Sequence, residues 1–308
     1  MVIDKGLCNR ILQKKKQLNK LRPFPQTALA KLKERIIIEW TYNSNAIEGS
    51  SLTLKETKLV LEDGLTIKGK PLREHLEAIN HRDAIEFVEK LLSKRVVITP
   101  LLIRQIHSLV LTKIDDQEAG KYRNVKVTIS GSKHTPPKSI SVPHLMANFG
   151  KWLKNNKSKT NILDYAALAH FKLVHIHPFV DGNGRTARLL TNLILMQQGF
   201  PPAVVLKVDR KRYYDCLEKA HKGELSDFVN FIARSVERSL AIWIEAIKPE
   251  KKQKRDEKYL LIREIYKKTP YSQEYLSLLA RRGKIEAVKF GRNWHISNEA
   301  VKKYIDLL

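Results

Sequence analysis

The chain has 308 residues, 43% of them hydrophobic, enough for a large helical core and one small further domain. Lys and Arg outnumber Asp and Glu by 57 to 32, a formal charge of +25 that attracts acidic and phosphate-bearing partners. Two lone cysteines, Cys8 and Cys216, give no disulfide or metal pattern, and no apolar leader or membrane-length span is visible, so a reducing cytoplasm and no membrane contact are expected.

In chain order, apolar residues at helical spacing (Leu29, Leu32, Ile36, Trp40) predict a helix from Thr27 to about Ile47. It runs into Ser44-Asn45-Ala46-Ile47-Glu48-Gly49, which by itself reads as a helix-end carboxylate before a glycine stop. Thr53 to Glu56 has the form of a capping box and opens a helix ending near Gly64. Pro71 begins a helix toward Leu92, Pro100 one toward Leu111 and Pro143 one toward Leu153. Asn124–Ile129 (NVKVTI) alternates in polarity, and the Gly131–Pro137 stretch behind it predicts a small hairpin with a proline-stiffened return. The next apolar-periodic helix carries His170 and His175, which are expected to pack or hydrogen-bond. With His177 they lack a zinc-ligand spacing.

The richest chemistry lies at His177–Arg188, HPFVDGNGRTAR. Gly182, Asn183 and Gly184 can turn successive N–H groups inward at the start of a helix running to about Gln198, a place for an anion. Arg185 and Arg188, three residues apart, are expected to share a helix face and converge on more than one phosphate. Asp181 suits magnesium, a hard cation held by few carboxylates plus phosphate oxygens. His177 is a candidate general base near neutral pH.

The stretch resembles the signature of the Fic family, HPFx[DE]GNGRxxR, with every fixed position filled. The resemblance implies a mainly α fold, a Fic-type helical core with a small β-hairpin flap, and transfer of AMP from ATP to a protein Ser, Thr or Tyr hydroxyl. It makes His177 the base, Asp181 the Mg2+ ligand, Gly182 to Gly184 the anion hole, and Arg185 and Arg188 the phosphate clamp. Gly184 favours AMP transfer, because a relative that phosphorylates its target has lysine there. Upstream, Ser44, Glu48 and Gly49 fit the family's inhibitory sequence [ST]xxxE[GN]; Glu48 is then expected to hold Arg188 away from the γ-phosphate. In some relatives that glutamate also positions water for AMP removal. The flap near Asn124–Ile129 is expected to dock the target polypeptide as an added strand, and Tyr214 to border the adenine. His221 departs from the family's usual asparagine, which leaves base recognition open.

Lys248–Arg255 has linker composition, and Tyr259–Tyr266 is apolar-periodic. A helix is expected at Tyr271–Arg282, strands at Ile285–Val288 and Trp294–Ile296 across a tight loop, and a last helix, capped by Ser297, at Ala300–Leu307. The pattern resembles the small winged helix-turn-helix of excisionase-type DNA-binding domains. Residues 251–308 hold 15 Lys and Arg against 7 Asp and Glu, so the basic excess is not confined to them and does not by itself assign DNA contact. The expected organisation is an N-terminal helical region over 1–98, a catalytic core over 99–247, a linker over 248–257 and a winged-helix-like domain over 258–308. Besides a protein substrate, duplex DNA and a second copy of the chain are the partners to test. The rival from another class is a DNA-binding regulator whose Fic core only senses nucleotide.

Overall fold

The computed structural model describes residues 2–93, 96–248 and 259–306, divided into two compact units, 1–247 and 248–308. Apart from Lys248, the linker expected at 248–257 falls outside the described residues. No helix among the described residues is long and apolar enough to cross a membrane.

The first unit is helical: α1 (Lys5–Lys20), α2 (Gln26–Glu48), α3 (Leu54–Glu62), α4 (Leu72–Ser93), α5 (Pro100–Leu111), α6 (Val142–Asn156), α7 (Ile162–Ile176), α8 (Asn183–Gln197), α9 (Arg210–His221) and α10 (Leu225–Ile247). Local chemistry sets the ends. The Thr53–Glu56 capping box opens α3, Thr99 caps α5 ahead of Pro100, and Asn161 caps α7. Gly49, at φ +113°, stops α2 in a left-handed turn that a side chain would strain.

Helices α7 and α8 pack against each other at the centre, and Leu189, Leu190 and Leu193 of α8 are fully buried. Truncating any of them to alanine would cost about 2–5 kcal/mol. Polar groups on the same helix are satisfied internally: Asn192 accepts from the Ala203 N–H at 2.7 Å and donates to its carbonyl at 3.1 Å. The N-terminus is tied down by Asp164 of α7, which accepts from the N–H groups of Val2 and Ile3. The second half of α2, from Trp40 to Ile47, is largely buried against α4 and α8, so the Ser44–Gly49 sequence is presented from a fixed helix.

The hairpin expected at Asn124–Ile129 does not form. The segment follows a non-helical, non-strand path, largely exposed, and none of its backbone N–H groups finds a partner among the described residues. Alternating polarity reports which side chains meet solvent, and the described residues supply no adjacent strand to complete a ladder.

The second unit has its own core of Ile262, Ile265, Leu276, Leu279, Ile285, Ile296 and Val301. β1 (Leu260–Leu261), β2 (Ala287–Phe290) and β3 (Asn293–Ile296) form an antiparallel sheet in the order β1-β3-β2; the helices are α11 (Ile262–Ile265), α12 (Gln273–Arg281) and α13 (Asn298–Asp306). The first wing strand starts two residues later than expected. The tight turn at Gly291 and Arg292 pairs Phe290 with Asn293 and thereby fixes the register.

Candidate functional site

The site is built on the loop from α7 into α8. His177 caps α7 in the left-handed region (φ +50°), an uncommon conformation for a residue with a Cβ, with its N–H donating to the Leu173 carbonyl at 2.9 Å. Asn183 closes the loop, accepting from the Phe179 N–H at 3.0 Å and donating to the Phe179 carbonyl at 2.8 Å. Gly182 (φ +74°) packs so closely that a Cβ would lie 3.2 Å from Val110 and 3.3 Å from His107. His107 stacks on Phe179 with ring centroids 3.6 Å apart. Its Nδ1 accepts from the Gly120 N–H at 3.0 Å, so Nε2 carries the proton and donates to the Asp181 carbonyl at 2.9 Å. Burial lowers its pKa to about 4, which keeps it neutral in that role. Arg123, 2% exposed, donates from Nε to the His177 carbonyl at 2.8 Å and from its other nitrogens to the carbonyls of Val125 and Pro137.

These contacts shape one wall of a cavity of about 460 Å³, a size suited to a small-molecule ligand. His177, Asp181 and the Gly182–Gly184 backbone line it, facing Tyr214 and His221 of α9, Ile129–Ser132 and Glu48. The N–H groups of Asn183 and Gly184, in the first turn of α8, have no backbone partner among the described residues, an arrangement suited to an anion. At the other end Arg210 lies over the Tyr214 ring, 4.9 Å from its centroid, and donates to the Ile47 carbonyl at 2.7 Å.

The two motif arginines do not converge. Arg185, 2% exposed, pairs with Glu77 of α4 at 3.2 Å and with Asp181 at 3.2 Å. Arg188, 4% exposed, turns to α2: Nε donates to the Ser44 hydroxyl at 3.0 Å, and Nη2 donates to the Ser44 carbonyl at 2.8 Å and to Glu48 Oε1 at 2.7 Å. Helical spacing puts both on α8, but each buried guanidinium follows its nearest carboxylate, because an unpaired buried charge is costly. Nη1 of Arg188 is buried with no hydrogen-bond partner.

Burial drives the His177 pKa down to about 4; Arg123 adds to the shift, and the Val174 carbonyl and Glu48 oppose it. The ring is therefore neutral at pH 7, with its Nδ1 unpartnered. For Asp181, burial favours the neutral acid, but Arg185, the Gly182 N–H and Arg73 outweigh it and hold the carboxyl below the usual range. An ionised oxygen donor opening on the cavity suits a hard divalent cation. Arg73 of α4 already sits on the same carboxylate, 2.5 Å from Oδ2.

His170 lies in the core, hydrogen-bonded to Thr191 at 3.0 Å and Tyr213 at 2.8 Å, in the packing role expected of it. His175 bonds instead to His221, 2.9 Å between Nδ1 atoms. The sequence reading gave no role to Arg73, Glu77, His107, Arg123 or Arg210. Arg123 and Arg210 stand in stretches that resemble the family, but only tertiary structure brings the five to the loop, although the helical spacing of Arg73 and Glu77 does mark one face of α4.

Residues 97–195 match the Fic/DOC family. Over 220 residues, 71% of this chain, the sequence is 40% identical to protein adenylyltransferase Fic of Drosophila melanogaster, and the match covers 44% of that protein, so the chain spans less than half the length of the curated relatives it matches. The structure is similar to Fic-1 (residues 134–508) of C. elegans, with a TM-score of 0.71 and 34% identity, covering 79% of this chain and 73% of that one. It is also similar to a Fic domain-containing signaling protein from Bacteroides thetaiotaomicron, with a TM-score of 0.73 and 28% identity, covering 78% and 98%. A complete HPFVDGNGRTAR loop on this helical frame and likeness of that extent establish that the chain belongs to the Fic/DOC family.

Proposed function

We propose that the chain is a protein adenylyltransferase that moves AMP from ATP to a Ser, Thr or Tyr hydroxyl of another protein and is restrained by its own Glu48. The observation that supports this best is one cavity lined together by a neutral His177, an ionised Asp181 and the unpaired N–H groups at the start of α8. In this reading His177 accepts the proton of the target hydroxyl as its oxygen bonds the α-phosphorus and the bond to pyrophosphate breaks. Asn183 and Gly184 hold phosphate oxygens through backbone N–H groups, Gly182 joins them when its N–H leaves Asp181, and Arg185 and Arg188 serve the outer phosphates once they turn from Glu77 and Glu48. Tyr214 borders the base. Asp181 would hold Mg2+, which when bound neutralises phosphate charge.

Ser44, Glu48 and Gly49 supply the restraint. Arg188 is spent on Ser44 and Glu48, and losing one charge-assisted contact to the γ-phosphate costs roughly 1.5–3 kcal/mol, about a ten- to hundredfold loss of productively bound ATP. Because Glu48 lines the same cavity as His177, AMP removal by a Glu48-oriented water belongs to the same proposal. The exposed segment Asn124–Ile129, with its unpaired backbone N–H groups, is the proposed docking edge for the target, added as a strand. In the second unit, Arg281, Arg282, Lys284 and Arg292 are exposed around the α12-to-β2 turn and the β2–β3 loop, the basic face proposed for duplex DNA.

The experiment is incubation of the Glu48→Gly protein with labelled ATP, magnesium and lysate proteins, with mass spectrometry of the adducts. A covalent AMP adduct that disappears with His177→Ala is expected. ATP binding without any adduct in Glu48→Gly would make the core a nucleotide sensor instead.

A further inference from the structure

Three histidines from three separate segments meet beside the nucleotide cavity. His134 stands in the loop after Gly131, His175 in the last turn of α7 and His221 at the end of α9. One ring nitrogen from each lies within 4.8 Å of those of the other two. The group shares no residue with the Asp181 carboxylate and none with the base proposed above.

We infer that His134, His175 and His221 form a binding site for a transition-metal ion of the zinc class, which ties the flap loop to α7 and α9. The hydrogen bonding already resembles that of metal-ligating imidazoles. His134 Nε2 lies 2.9 Å from the His175 carbonyl, which can only accept, so Nε2 carries the proton and Nδ1 keeps its lone pair. A ring N–H given to a backbone carbonyl is how ligating histidines are oriented. Nδ1 of His175 and Nδ1 of His221 lie 2.9 Å apart, so one of them also presents a lone pair and only a tautomer shift separates the pair from two donors.

Ligation requires neutral imidazoles, so metal binding here would displace protons and strengthen as pH rises. Neutral imidazoles without a thiolate suit Zn2+, Co2+, Ni2+ or Cu2+ and discriminate against Mg2+. Ligation asks one movement of the site: His134 lies parallel on His221, 3.8 Å between centroids, and its ring must swing to direct Nδ1 at a shared ion. Glu218, one turn before His221 on α9, accepts from the Ser132 hydroxyl and is the nearby candidate for a fourth ligand in competition with water. Ser132, Glu218 and His221 all line the nucleotide cavity, so a bound ion would stiffen that end of it.

The test uses the full chain without an affinity tag, stripped of metal by chelation and titrated with Co2+ in the absence of ATP and target. One equivalent with the intense visible bands of a low-symmetry, tetrahedral-type site is expected, displaced by Zn2+ and accompanied by a higher Tm. His134→Ala, on the loop, and His221→Asn, which keeps a polar side chain, should each abolish the bands while circular dichroism stays that of the wild type. Bands unchanged in both folded variants, or no saturable Co2+ binding by the wild type, would overturn the site. Neither readout depends on AMP transfer, so this inference and the proposed activity fail separately.

Discussion

The Glu48 carboxylate lies directly over Gly184. A Cβ built at 184 would overlap Glu48 Oε1 and stand 3.0 Å from Nη1 of Arg188, so the restraint and the anion-binding turn occupy adjoining space. The overlapped atom is the far end of a flexible side chain, which can move aside. Gly184→Ala should therefore loosen Glu48 from Arg188 and raise basal self-modification, by less than Glu48→Gly does. Initial rates with labelled ATP check this; a rate at or below the wild type would contradict it.

Glu48→Gly should raise AMP transfer about ten- to hundredfold, the equivalent of roughly 1.5–3 kcal/mol for one charge-assisted contact. Arg188→Ala on that background should remove most of the gain, because the freed guanidinium is what the variant gains. The double-mutant cycle, read as initial rates, would show no coupling if Ser44–Gly49 were only a helix end.

The pH profile should be displaced to acid. His177 works as a base only when neutral, and its pKa is lowered to about 4, so transfer by Glu48→Gly should hold steady from neutral pH downward and fall only as pH approaches 4. Single-turnover rates against pH measure this, and a limb at 6.5 would show an unshifted ring. Stability should behave differently. His107 and His170, lowered to about 4 and about 3, stay neutral in the fold while the unfolded chain takes up protons near 6.5. Their contribution is complete above 6.5 and declines as pH falls toward 4, so Tm should drop over that interval while transfer persists.

Arg73 competes for the carboxylate proposed to hold magnesium. Arg73→Ala should lower the Mg2+ concentration for half-maximal transfer a few-fold, in keeping with the roughly 0.2–1 kcal/mol of an exposed ion pair. A magnesium titration of rate showing no change, or a higher requirement, would mean that Arg73 orients Asp181 rather than blocking it.

The second unit makes a separate prediction. Duplex binding by the full chain should weaken with salt at a log–log slope near −0.9 per phosphate contact, and charge reversal at Arg282 and Arg292 should reduce that slope. Fluorescence anisotropy across a salt series measures it. Salt-insensitive or absent binding, with loss of target modification on deletion of residues 259–308, would indicate protein docking.

The chemistry of the loop was legible because His177–Arg188 is contiguous, and Thr53–Glu56 and Pro100 announced their helices for the same reason: the interacting groups are a few residues apart. What the sequence withheld was direction. Spacing on α8 put Arg185 and Arg188 on one shared face, but where each guanidinium points depends on Glu77 and Ser44, more than a hundred residues upstream. The 124–129 segment failed for a related reason, since alternation describes a strand's two faces and is silent about whether a neighbour exists. His170, His175 and His177 looked like the histidine group to weigh, while the three that meet are drawn from the flap, α7 and α9.

Arg123 hydrogen-bonds the carbonyls of Val125, Pro137 and His177, and its own N–H donates to the Pro178 carbonyl. One side chain thus fastens the start of the proposed docking edge to the backbone of the proposed base. If a target strand pairs along residues 125–129, its distance from the imidazole is set by main-chain register rather than by side-chain fit, so the edge acts as a ruler with its zero at Arg123. The choice of modified hydroxyl then becomes a matter of counting positions along the docked strand, and moving a target serine by two residues should silence it even when every other contact is kept.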